Sequence, residues 1–199
     1  MRKKLQVFIS STFNDLIEER QAAVQAILRA GHIPAGMELI YKYNKTELIK
    51  KWIQESDIFI LILGGFYGPL LPDKSLSYTH SEYDYAGELG KPRFAFVLTD
   101  EALRQKPYDF VVMENYPEFQ AFKQSVMEQV PIFHVESEPH IHMVIRDLLP
   151  EYARRDDLSG WVSGKEIPDV QRLSEENAEL LKENARLQAE LEKHKREDQ

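Results

Sequence analysis

The chain has 199 residues, 43% of them hydrophobic, no cysteine, and a formal net charge of −8. That apolar content suffices for one domain with a real core plus an appendage, and the acidic balance without a dense Lys/Arg patch excludes nucleic acid as the main partner. Without thiols there is no disulfide, thiolate nucleophile or thiolate zinc site, and because "MRKKLQVFISSTFND" turns polar too soon for a signal peptide and no stretch approaches a membrane span, the expectation is a cytoplasmic protein with no membrane partner.

Short apolar runs alternate with helical periodicity over residues 1–153, which predicts an α/β domain with a mainly parallel sheet. The strands are "LQVFIS" (5–10), "HIPAGM" (32–37), "DIFILILGG" (57–65), "RFAFVL" (93–98) and, less clearly, "PIFHV" (131–135). The third is nearly continuous Ile, Leu and Phe, as a central strand covered on both faces requires. Between them, residues 13–30 place Phe13, Leu16, Ile17, Val24, Ile27 and Leu28 on one stripe and stop at Gly31. A second helix runs from Asn44 to Glu55 behind an Asn-x-x-Glu start, and a third from Thr79 to Leu89. Residues 119–128 and 141–152 complete the set, while 99–117 show no pattern. The simplest topology is a doubly wound, flavodoxin-like sheet of order 2-1-3-4-5.

Residues 154–168 are polar with two glycines and a proline and read as a linker. From 169 to 199 there is no glycine or aromatic residue, and a heptad places Leu173, Leu180 and Leu187 at one core position and Asn177, Asn184 and Leu191 at the other. This is a coiled-coil pattern. Leucine at d with asparagine at a favours a parallel homodimer, because paired asparagines satisfy each other only in that register. Leu181 widens the apolar stripe, and with Glu176, Glu183 and Glu190 at the g positions it keeps a tetramer or a hetero-partner open.

In such a sheet ligands bind at the carboxyl ends of the strands where the order reverses, here between the first and third. The first strand runs into Ser10, Ser11, Thr12 and Phe13, hydroxyls suited either to a phosphate at a helix N-terminus or to capping that helix. Glu38, after the second strand, either holds ribose hydroxyls or faces solvent. Gly64 and Gly65 allow close backbone approach, and Tyr67 offers a ring for a base. In "SYTHSEYDYAGELGKP" (77–92) Glu82 sits between Tyr78 and Tyr85, with Ser77 and Thr79 nearby. It is either a carboxylate aimed into the cleft or the last member of a Thr79-x-x-Glu82 capping box. The histidines of "HVESEPHIH" and the pairs Lys50-Lys51 and Arg154-Arg155 read as surface groups, and no metal site is expected.

"VFISSTFNDLIEER" (7–20), "SDIFILILGGFYG" (56–68) and the stretch at 77–92 resemble the three blocks of domain-of-unknown-function family 4062, a TIR-like module. The resemblance covers roughly residues 4–100 and implies a flavodoxin-like fold. More distantly, the arrangement is similar to TIR domains that cleave NAD and to nucleoside deoxyribosyltransferases. In both groups a glutamate on the helix after the third strand acts at an N-glycosidic bond, and the matching position is Glu82. The TIR-type Trp-Cys pair before that glutamate is replaced by Thr79, His80 and Ser81. The resemblance implies an effector, with bacterial anti-phage defence as its setting, that takes a nucleotide such as NAD as substrate and needs no further cofactor. The alternative is a non-catalytic adaptor or nucleotide sensor assembled by the coiled coil.

Overall fold

A computed structural model of the chain describes residues 3–36, 46–107, 114–164 and 169–197. Twelve elements follow in order: β1 (Gln6–Ser11), α1 (Ile17–Arg29), β2 (Ile33–Gly36), α2 (Thr46–Glu55), β3 (Ile58–Leu63), α3 (Tyr78–Glu88), β4 (Arg93–Leu98), α4 (Asp100–Gln105), α5 (Tyr116–Gln129), β5 (Ile132–Val135), α6 (Glu138–Ala153) and α7 (Val170–Glu197). The five strands form one parallel sheet of order β2-β1-β3-β4-β5. This is the order the sequence predicts.

Strand alternation divides the core in two. Val7, Ile9, Ile58, Ile60, Phe94 and Phe96 face one side with α1 and α6, whereas Phe8, Phe59, Leu61, Ala95 and Val97 face the other with α2, α3 and α5. Every residue of β3 is buried, which explains its unbroken apolar run.

Two elements differ from expectation. In α1 the buried residues are Glu19, Arg20, Ala22, Ala23, Ala26 and Ile27, while Ile17 and Leu28 are 42% and 58% exposed. The stripe is rotated because α1 packs beside α6, and small alanines admit that close approach. Within the patternless 99–117 stretch, Thr99 caps α4 by accepting from the Ala102 amide. The Asn44 cap expected for α2 lies outside the described residues.

The α/β unit comprises Lys3–Trp161. The first part of the expected linker is therefore packed rather than free: Leu158 is buried in the core, and Lys4 and Trp161 exchange backbone hydrogen bonds at 2.8 and 2.7 Å. Turn residues and polarity mark a loop, but they do not report whether it is docked. The second unit carries α7, a single helix of 28 residues whose Leu173, Leu180, Leu181, Leu187 and Leu191 are all exposed. Among the described residues no helix is long and apolar enough to cross a membrane.

Candidate active site

The helix that carries Glu82 starts earlier than its capping-box pattern suggests. Ser77, in extended backbone, is the N-cap, and its hydroxyl accepts from the His80 amide at 3.2 Å. Glu82 then falls in the second turn, on the buried stripe Thr79, Glu82, Tyr83 and Ala86 that faces the sheet. Its side chain does not turn back to cap the helix. Instead the Ser10 hydroxyl donates to Glu82 Oε2 at 2.5 Å, both groups buried, which fixes the carboxyl at the carboxyl end of β1.

That position governs the charge of the group. Burial pushes Glu82 up from 4.5 to about 7, against the Ser10 hydrogen bond and the positive charge of Arg20, which both favour the carboxylate. Arg20 reaches under the sheet edge from α1, donating from Nη1 to Ser11 Oγ at 2.8 Å and to the Ile9 carbonyl at 3.4 Å. Ser11 in turn donates to the Thr12 carbonyl at 2.6 Å.

The hydroxyls of β1 thus serve opposite faces: Ser10 the α3 side, Ser11 the α1 side. Neither Ser11 nor Thr12 caps α1, whose N-cap is Leu16 without a side-chain cap. Thr12 is buried with its γ-methyl packed where Gly68 leaves room, and Phe13 is half-buried beside it. Gly64 is required by packing, since a Cβ there would lie 2.9 Å from Leu16 Cδ2 and 3.0 Å from Asp15 Oδ2. Gly65 follows in the same turn, half-buried.

Tyr67 is buried to 4% exposure, and its hydroxyl meets His80 Nδ1 at 2.8 Å. His80 stacks on Phe122 at 4.1 Å and approaches Asp84 through Nε2 at 3.4 Å. This chain of contacts ties the start of α3 to the β3–α3 loop and to α5, and so sets the direction from which Glu82 enters.

A narrow cleft lies between α2 and α3, with an interior volume of about 10 Å³, the room of a single water molecule. Ile49, Ile53 and Glu82 are its buried residues, while Tyr78, Tyr85, Leu71 and Lys50 form half-buried walls. Of the residues singled out from the sequence, the structure brings together Glu82, Tyr78 and Tyr85, with Ser10 behind the carboxyl. Ser77, Tyr67, Gly64, Gly65, Ser11, Thr12 and Phe13 support this arrangement without lining the cleft. Glu38 lies outside the described residues.

Sequence reasoning passed over Arg20 and placed Lys50 at the surface, whereas Lys50 is half-buried and lines the cleft. Arg20 sits at helical spacing with Ala23 and Ile27, and Lys50 with Thr46, Ile49 and Ile53, so each belongs to an inward stripe. That spacing was the available signal. A charged residue on an apolar stripe is readily assigned to solvent unless its partner is known.

The family described as "Domain of unknown function (DUF4062)" matches residues 6–150. The chain belongs to the DUF4062 family. The match takes in every strand and reaches beyond the three blocks noted in the sequence. No curated protein sequence matches the chain. Among solved structures, the DUF4062 domain is similar to the TIR domains of the activated Roq1 resistosome that recognises the pathogen effector XopQ, with 12% identity, a TM-score of 0.50, and coverage of 73% of this chain and 99% of that one. It is also similar to the RPS4 and RRS1 TIR domain heterodimer (12% identity, TM-score 0.48, 74% and 98% covered) and to the CMP N-glycosidase BcmB of Clostridium botulinum (18%, 0.44, 72% and 98%). The first likeness establishes a TIR-like α/β fold for this DUF4062 domain.

Proposed function

We propose that this protein is a TIR-like effector that binds a nucleotide such as NAD between α2 and α3, which part to admit it, and cleaves its nicotinamide–ribose bond, with self-association through α7 as the condition for activity. The observation that supports this most directly is the buried Glu82 carboxyl, held on one oxygen by Ser10 and lining a cleft walled by Tyr78 and Tyr85. The sequence resemblance to NAD-cleaving TIR domains at the same glutamate points the same way.

The chemistry asks little more of the protein. As the bond from the anomeric carbon to the pyridinium nitrogen breaks, its electron pair neutralises the nicotinamide, which leaves without needing a proton. Positive charge develops on the ribose, where an adjacent carboxylate stabilises it through a medium of low dielectric. Water then adds to the anomeric carbon and its proton passes to Glu82, which at about 7 is matched to accept and release it near neutral pH. Ordinary glycosides would need a second acid for the leaving group. The aromatic walls hold the planar base and exclude water from the ground state.

The test is nicotinamide release from NAD by the full-length protein, beside Glu82→Gln. Glutamine keeps an acceptor for Ser10 while removing the charge, so the variant is expected to fold and to lose at least about a hundredfold in rate. Binding of NAD without release by the wild-type protein, or equal rates in the two proteins, would move the function to a nucleotide-sensing module.

A further inference from the structure

The two adjacent lysines of α2 have different fates. Lys51 is exposed and pairs with Glu55 at 3.8 Å, one turn along the same helix. Lys50 turns inward, lines the cleft, and holds its Nζ 5.4 Å from the centroid of the Tyr85 ring. Among the described residues it has no carboxylate partner, in a chain where 33 acids outnumber 25 bases. Of the described residues lining the cleft it is the sole cation, and the one acid among them, Glu82, is engaged by Ser10.

A half-buried ammonium with no counter-ion among the described residues is an incomplete arrangement. Contact with an aromatic face at this distance holds it weakly and leaves its three donors available. We infer that Lys50 is the phosphate-binding residue of this cleft, and that the ligand is an N-glycoside carrying a phosphate rather than a free nucleoside. This rests on the proposed function and assigns the phosphate of its nucleotide to one residue. Glu82 and Lys50 stand on facing helices with the cleft between them, so a ribose that offers its anomeric carbon to α3 presents its phosphorylated end to α2. On binding, Lys50 leaves the Tyr85 ring for the phosphate and frees that ring to stack on the base.

The test uses the full-length protein carrying Glu82→Gln, which binds without turning over, and titration calorimetry with nicotinamide mononucleotide and nicotinamide riboside. These ligands differ only in the phosphate. The mononucleotide is expected to bind at least about tenfold more tightly, and the preference to shrink as salt rises. Adding Lys50→Ala should erase the preference by weakening the mononucleotide alone, while Lys50→Arg should retain it. Equal binding of the two ligands, binding of neither, an unchanged preference in Lys50→Ala, or equal weakening of both ligands would overturn the assignment. If the preference holds but wild-type protein releases no nicotinamide, the phosphate site stands and the hydrolase reading falls.

Discussion

At Glu82 the fold works against the charge that the proposed reaction uses. In the unfolded chain the carboxyl titrates near 4.5, in the native state at about 7. Between those values the native protein keeps a proton that the unfolded chain has lost, so stability falls as pH rises across this window and levels off above it. The difference corresponds to about 3 kcal/mol. The proposed reaction uses the carboxylate, so nicotinamide release per protein is expected to climb with pH, with a midpoint near 7. Ser10→Ala removes a hydrogen bond that favours the charged form, and should move that limb on the order of one pH unit higher. A pH–rate profile of both proteins checks this. A flat profile from pH 6 to 8 would show that Glu82 does not titrate in the reaction.

The elements around the site are held by packing that a single methyl group can disturb. In Gly64→Ala the new Cβ meets the side chains of Leu16 and Asp15 at 3.0 Å or less, and both are buried just before α1 with little room to turn away. The variant is expected to cost about 1–3 kcal/mol, read as a lower denaturant midpoint with an unchanged slope. The central strands were legible because a sheet covered on both faces leaves short apolar runs between helical patterns, and the order followed from the simplest doubly wound topology that such an alternation allows. The phase of α1 was not, because its buried face consists of alanines together with Glu19 and Arg20. Glu19 is neutralised by Lys106, 87 residues away, whose Nζ lies 2.7 Å from its Oε1. The role of Glu82 was undecidable for the same reason. Thr79-x-x-Glu82 is a valid local pattern, and what defeats it is Ser10, 72 residues upstream. Local spacing shows what a side chain is able to do nearby, and long-range partners decide among those options.

On the scale of the whole molecule, α7 presents Leu180 and Leu187 at 55% and 44% exposure on the heptad positions that a second helix would cover. Leu180→Glu with Leu187→Glu is expected to convert the protein to a monomer by light scattering, to leave the melting of the α/β unit in place, and to lower nicotinamide release per protomer at least severalfold. Full activity in a proven monomer would separate assembly from catalysis. The exchange of hydrogen bonds between Lys4 and Trp161 bears on how such a unit is used. Asp57 reinforces it, its two carboxylate oxygens taking the amides of Gln6 at 2.8 Å and Gly160 at 2.9 Å. The path of the chain through the α/β unit therefore begins and ends at one fastened point, on the amino edge of the sheet, away from the edge where Glu82 sits. A domain built this way is a cassette: it can be spliced into, or hung from, longer polypeptides of many lengths without stretching its own framework or obstructing the edge that carries Glu82.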